Sequence, residues 1–276
     1  MPPFRNLPPG IECAGKAGAR SAASSVSAAE RSANLGSPGA GAPLLELSEV
    51  RAGYEEVEVL RGVSVRVHAG DMVSIIGANG AGKSTLLKTV FGMVRARAGR
   101  IVFDGLDIAN RRPVEILRRG LSYVPQGRCN FPAMTVEENL EMGAYIRNDA
   151  AVRNDIEAML ARFPVLAEKR RAPAGTLSGG QQQILEMAIA LLLHPKLLLI
   201  DEPSLGLDPK MVEAVFDAIQ TLNREGATVL MVEQNAKRAL EISDHAFVLE
   251  LGRNRFEGTG QELLGNPEVR QHYLGG

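Results

Sequence analysis

The sequence predicts an α/β fold built on a mostly parallel core sheet. Two observations carry that expectation. Met72–Ile76, residues 197–200 and residues 228–232 are short, nearly unbroken apolar runs, the pattern of strands buried on both faces. Segments with helical spacing of apolar residues separate them, and strands alternating with helices imply parallel pairing through crossovers. No internal repeat is present.

Residues 1–43 are rich in Pro, Gly, Ala and Ser and carry few large apolar side chains. Such a segment cannot bury enough surface to offset its ordering entropy. It is expected to be a disordered extension, or the product of a start assigned too far upstream. From Leu44 the texture changes. Residues 44–50, 57–60 and 63–67 have strand character, punctuated by Gly53 and Gly62. His68-Ala69-Gly70-Asp71 is a turn before the buried run Met72–Ile76. A glycine-rich loop follows, and residues 86–91 continue as helix. Residues 135–175 are mainly helical: Thr135 and Glu138 make a capping box, and Ile156, Met159, Leu160 and Phe163 share one face. Residues 197–200 and 228–232 are buried strands on either side of a helix over 210–224. Residues 248–251 are expected as a further strand, and the tail from Gln261 as helix until Pro267.

The 276 residues are 45% hydrophobic, enough for one large domain or two small ones. A net charge of −1 offers no global attraction to nucleic acid or to an anionic membrane. Short basic runs such as Lys169-Arg170-Arg171 are explained as solvated faces and helix ends. Two cysteines, Cys13 and Cys129, argue against a disulfide framework and fit a reducing compartment. No apolar stretch reaches the ~18 residues of a spanning helix. The nearest, 189–200, is broken by His194, Pro195 and Lys196. The N-terminus lacks the compact apolar segment of a secretory signal. The chain is expected to be soluble and to meet a membrane only through partners.

Three short strings carry the chemistry. Gly77-Ala78-Asn79-Gly80-Ala81-Gly82-Lys83-Ser84-Thr85 fits a phosphate-binding loop between a buried strand and a helix. Its glycines let successive N–H groups face phosphate oxygens; Lys83 would reach the terminal phosphates and Ser84 would ligate Mg²⁺. Asp201-Glu202 ends the strand 197–200, at the sheet edge where α/β proteins bind ligands. Asp201 would hold Mg²⁺ through water, and Glu202 would orient or deprotonate an attacking water. Leu177-Ser178-Gly179-Gly180-Gln181 opens a helix with a capping box. Capping alone does not explain two early helical glycines, each costing up to ~1 kcal/mol relative to Ala. Close approach of a ligand would. Tyr54 could stack on a base, although an ordinary half-buried tyrosine is the commoner explanation for it alone. Gln126, in Tyr123-Val124-Pro125-Gln126-Gly127, ends a short strand, and its amide could ligate Mg²⁺ or the attacking water.

Together these residues resemble the ATP-binding cassette (ABC) ATPases from about Leu44 to the C-terminus. In that likeness residues 77–85 are the Walker A loop, Gln126 the Q-loop, residues 177–181 the signature, Asp201 and Glu202 the end of Walker B, and Ser204-Leu205-Gly206-Leu207-Asp208 the D-loop. The resemblance implies a phosphate-loop NTPase fold with an N-terminal antiparallel β subdomain and a helical subdomain at about 127–175, binding ATP and Mg²⁺. Val124-Pro125-Gln126-Gly127-Arg128, Met134-Thr135-Val136-Glu137-Glu138-Asn139-Leu140, residues 201–211 and Val232-Glu233-Gln234-Asn235-Ala236 look like the LivF-type ATP-binding subunits of branched-chain amino acid importers. Urea-importer ATPases are similar in the middle of the chain, but Ser204-Leu205-Gly206-Leu207 suits the amino-acid type better.

One departure matters for mechanism. Most ABC ATPases carry a switch His where this chain has Gln234, and Gln can donate a hydrogen bond but cannot titrate. The LivF-type likeness implies that Gln is usual there. The likeness also implies a head-to-tail dimer with itself or a sister ATPase, in which Ser178 and the N–H groups of Gly179 and Gly180 meet the partner's ATP. It further implies two integral-membrane permease subunits, an indirect solute-binding protein, and a place on the cytoplasmic face of the plasma membrane. Phe131, Met134 and Tyr145 are candidate permease contacts or simply core. Nucleic acid is not an expected partner: cassette ATPases acting on it typically carry two cassettes or a long coiled coil, and neither is present.

Overall fold

The computed structural model describes residues 41–275 apart from 128 and 148. The expected extension through residue 40, Cys13 and Arg128 lie outside the described residues. The described strands are β1 (Leu45–Tyr54), β2 (Val57–Val67), β3 (Met72–Ile76), β4 (Ala96–Phe103), β5 (Leu106–Asp107), β6 (Leu121–Val124), β7 (Leu197–Asp201), β8 (Val229–Glu233), β9 (His245–Glu250) and β10 (Arg253–Gly258). The helices are α1 (Lys83–Val90), α2 (Pro113–Arg118), α3 (Val136–Gly143), α4 (Val152–Arg162), α5 (Pro164–Glu168), α6 (Gly179–Leu191), α7 (Pro209–Arg224), α8 (Ala236–Ile242), α9 (Gly260–Gly265) and α10 (Pro267–Tyr273).

A six-stranded sheet in the order β10-β9-β3-β8-β7-β6 forms the centre, parallel except for β10. Its strands divide their side chains between two cores, as a two-residue period requires. Met72, Leu198, Ile200, Val229 and Met231 enter the core with α3–α7. Val73, Ile75, Leu197, Leu199, Leu230 and Val232 enter the core under α1 and the second sheet. Both faces of β3, β7 and β8 are therefore dry, which is why their sequences are apolar without alternation.

The second sheet, β2-β1-β4-β5, is antiparallel throughout. It corrects one expectation. Gly62 and Gly53 do not end strands. β2 runs continuously through Gly62, whose positive φ of 94° sits at a register shift between the Arg51–Arg61 and Val50–Val63 pairs. The tail is helical over Gly260–Gly265, as expected before Pro267, and a second helix follows: Pro267 is the first residue of α10, where its missing N–H has no consequence, and Asn266 caps it.

Helices α3, α4 and α5 fill the stretch between β6 and α6. Thr135 caps α3 in a reciprocal box with Glu138, and Ile156, Met159, Leu160 and Phe163 are all buried, as their spacing predicts. Cys129 is a free, exposed thiol. Among the described residues no helix is long and apolar enough to cross a membrane.

Phe216 of α7 is fully buried and backed on one side by the Arg238 guanidinium, 5.6 Å from the ring centroid. Phe216→Ala should lower unfolding free energy by about 3–5 kcal/mol, read from urea denaturation. A loss under about 1 kcal/mol would mean that the α7 face is not packed as described.

Candidate functional site

Strand register lines up the motifs. Ile76 of β3 lies opposite Glu233 of β8, Val232 opposite Asp201 of β7, and Ile200 opposite Val124 of β6. The residues just beyond these ends, Gly77, Gln234, Glu202 and Gln126, therefore fall along one carboxyl edge, where open α/β sheets take ligands.

The loop from Gly77 to Thr85 is braced on both sides. Ala81 N–H donates to Ala78 O at 3.1 Å, and Gly252 N–H, in the β9–β10 turn, donates to Ala81 O at 3.0 Å. A Cβ at Gly77 would stand 2.3 Å from Leu249 O, so only glycine fits. Gly82 precedes α1 with no side-chain cap, leaving first-turn N–H groups for an anion.

Lys83 is 4% exposed, and its ammonium donates to Gly77 O at 2.9 Å and Ala78 O at 3.3 Å. It also lies 3.4 Å from Glu202 Oε1. Gln126 Nε2 donates to Glu202 Oε2 at 2.8 Å. Glu202 adopts a φ of 47°, a conformation uncommon outside glycine, while its N–H is fixed on Val232 O at 2.9 Å.

Beside this chain of contacts, Ser84 Oγ donates to Asp201 Oδ1 and Tyr123 OH to Oδ2, each at 2.8 Å. Asp201 is fully buried, and the two hydroxyls satisfy it. Burial, reinforced by the neighbouring Asp201 carboxylate, pushes the Tyr123 phenol far above its ordinary range, so it remains a donor. Carboxylate and hydroxyl oxygens are the hard donors that suit Mg²⁺, which takes one or two protein ligands and leaves its other positions to phosphates and water. No group of three or more His, Cys, Asp or Glu side chains able to hold a metal occurs among the described residues.

A cavity of about 270 Å³ opens next to Glu202, lined by Ser204, Leu205 and Gly206 on one side and by residues 233–235 on the other. Gln234 is exposed there. Glu233, fully buried, accepts from Ser204 N at 2.9 Å, Ser204 Oγ at 3.0 Å, Gln234 N at 2.9 Å and Asn235 N at 3.0 Å. Burial raises its carboxyl pKa, and the four donors oppose that rise. Neither Tyr123 nor Glu233 had been singled out from the sequence. The available signal was the one that exposed Asp201: Glu233 too is a carboxylate ending a wholly apolar strand.

Residues 177–181 form a separate constellation. Ser178 caps α6: its N–H donates to Gln181 Oε1 at 3.0 Å and its Oγ accepts Gln181 N–H at 3.3 Å. Leu177 is buried, Gly179 half-buried and Ser178 exposed. Among the described residues no hydrogen bond joins this segment to residues 77–85. The structure revises the reason for one glycine. A Cβ at Gly180 would lie 2.8 Å from Met211 Sδ, so the close approach there is to α7 and not to a ligand alone. Asp208 caps α7, accepting Met211 N–H at 3.1 Å. Tyr54 lies at the β1–β2 turn and is 47% exposed. Phe131 and Tyr145 are exposed, and Met134 is half-buried.

The chain is similar to known proteins. A family model described as ABC transporter matches residues 60–205. The chain is 46% identical over 233 residues to the high-affinity branched-chain amino acid transport ATP-binding protein BraG of Pseudomonas aeruginosa, spanning 84% of this chain and 100% of the relative. It is 40% identical over 233 residues to a probable branched-chain amino acid transport ATP-binding protein LivF of Archaeoglobus fulgidus, spanning 84% and 99%. Among solved structures, an ATP-binding cassette of an ABC transporter in its ADP conformation superposes with a TM-score of 0.75 at 30% identity, covering 86% of this chain and 100% of that one.

The Gly180–Met211 contact makes a direct prediction. Gly180→Ala should destabilise the chain by about 1–3 kcal/mol, and its cost should be smaller in a Met211→Ala background. Equal costs of Gly180→Ala in both backgrounds, measured by thermal unfolding, would assign the glycine to something other than helix packing.

Proposed function

The chain belongs to the ABC transporter family of ATPases, and from that premise we propose that it binds and hydrolyses ATP to drive an importer of branched-chain amino acids. The observation that carries the catalytic part is the convergence of Lys83, Glu202 and Gln126 beside Ser84 and Asp201 on one sheet edge. The likeness to BraG and LivF supports the solute class.

In this reading residues 44–276 are one nucleotide-binding domain with a helical subdomain at about 127–175. Tyr54 stacks on adenine. The N–H groups of Gly77, Ala78, Asn79, Gly80, Ala81, Gly82, Ser84 and Thr85 line the phosphates, and Lys83 exchanges its carbonyl and carboxylate partners for phosphate oxygens. Ser84 and the Gln126 amide, with Asp201 acting through water, would hold Mg²⁺, which would supply charge neutralisation of the phosphates. Glu202, released from Lys83, orients the attacking water and accepts its proton. Gln234, facing the same cavity, donates a hydrogen bond to the γ-phosphate without changing charge.

The signature serves a second ATPase subunit. Ser178 Oγ already accepts from Gln181, and its own hydrogen has only the Met211 sulfur, 3.8 Å away, as a weak acceptor. That hydrogen and the N–H groups of Gly179 and Gly180 are available to a partner's γ-phosphate. Leu177 seats this helix end on the core, and Asp208 fixes the segment that meets the partner. The working assembly in this reading has two ATPase subunits, two permease subunits contacted through the surface bearing Phe131 and Tyr145, and an indirect solute-binding protein. The chain lies on the cytoplasmic face of the plasma membrane.

Lys83→Ala should reduce ATP affinity by roughly a hundredfold or more in a direct binding assay; parental affinity would contradict the nucleotide site. Glu202→Gln should keep ATP bound while turnover falls by roughly a hundredfold or more, and normal hydrolysis would remove Glu202 from the chemistry. Loss of the chain from its cell should abolish high-affinity uptake of leucine, isoleucine and valine. Unchanged uptake of all three would overturn the solute assignment and leave the ATPase assignment standing.

A further inference from the structure

One carboxylate ties together two segments on which the proposed reaction depends. Residues 204–208 leave Glu202 and end at the cap of α7, and residues 233–235 link β8 to α8. Glu233 sits between them with no exposed surface. Its Oε1 takes Ser204 N–H, and its Oε2 takes Ser204 Oγ, Gln234 N–H and Asn235 N–H. All four partners donate, so only a group that accepts on both atoms satisfies them. A glutamine in its place would set an amide N–H against one of these donors.

The outer face of the first segment is exposed. Leu205 is 52% exposed, Gly206 follows it with a positive φ of 70°, and Leu205 N–H is anchored on Glu202 O at 3.1 Å. The segment is therefore held at one point by the backbone of Glu202 and at another by Glu233. Both anchors border the cavity that Gln234 also lines.

We propose that Glu233 is a positioning residue that locks residues 204–206 and Gln234 into one unit, so that a second subunit pressing on Leu205 sets the position of Gln234 at this chain's own nucleotide. The inference rests on the ATPase reading above and concerns how one site of the pair is regulated by closure. A purely structural Glu233 would only satisfy buried N–H groups. Its loss would then lower stability, and each molecule that remained folded would turn over ATP at the parental rate.

The test uses the full chain, with Glu233→Gln, Ser204→Ala and the double variant. Thermal midpoint, affinity for ATP and kcat at saturating ATP and Mg²⁺ are measured for each. Glu233→Gln should hold ATP affinity within about twofold while kcat falls roughly tenfold. Ser204→Ala, which removes one of four donors, should lower kcat roughly threefold, and the double variant should be no slower than Glu233→Gln, because both changes cut the same tie. Parental kcat in both single variants, effects that multiply in the double variant, or ATP affinity that falls in step with kcat would each overturn the proposal. Should Glu233→Gln fail to fold, Ser204→Ala decides: slower turnover at parental affinity supports the tie, and parental turnover overturns it. A parental chain that binds no ATP would instead overturn the ATPase reading, before any variant is compared.

Discussion

The site depends on a buried ion pair between Lys83 and Glu202. Lys83 and Glu202 are 4% and 9% exposed along their side chains and stand 3.4 Å apart. Taking two charges out of water costs several kcal/mol for each, and a single contact of that length does not offset it. The remainder comes from Gly77 O and Ala78 O on the ammonium and from Gln126 on the carboxylate. On the proposed reading a triphosphate offers Lys83 more negative charge than Glu202 does. Lys83 then leaves, and the carboxylate becomes free beside the incoming phosphate. Nucleotide binding and readiness for hydrolysis are thus two results of one exchange.

That exchange is possible because the sheet leaves its members little freedom. β3, β8 and β7 are packed on both faces, so the strand ends that carry the phosphate loop and Glu202 cannot shift without disturbing two cores. Parallel register puts their strand ends side by side, with β8 between them. Glu202 is held in a left-handed backbone conformation by its N–H bond to β8. Asp201, one residue earlier, points instead to Ser84 and Tyr123. Two adjacent carboxylates thereby face different neighbours: one a cationic side chain, the other a pair of hydroxyls suited to a metal ion.

Much of this was legible in the sequence. The buried strands at 72–76, 197–201 and 229–233 announce themselves because a doubly covered strand has no polar face to obscure it. The Thr135 and Ser178 caps were visible because their chemistry is local, a hydroxyl and a Glu or Gln three residues on. What was not legible depends on partners distant in the chain. β4 carries Arg97, Gly99 and Arg100 and is a strand only because β1 pairs with it. Gly62 looks like a break and is a bulge, since β1 supplies a matching shift. Gly180 looked reserved for a ligand until α7 brought Met211 against it. Tyr123 gains meaning only from Asp201, on another strand, and the tie made by Glu233 only from Ser204, in a turn after that strand.

The central claim is that Lys83 changes partners when ATP arrives. A crystal structure of this chain with a non-hydrolysable ATP analogue and Mg²⁺ tests it most directly. Lys83 Nζ should then lie about 3 Å from phosphate oxygens and well beyond contact with Glu202, with Ser84 Oγ turned from Asp201 to the metal. Nucleotide bound while Lys83 still rests on Gly77 O and Glu202 would contradict it.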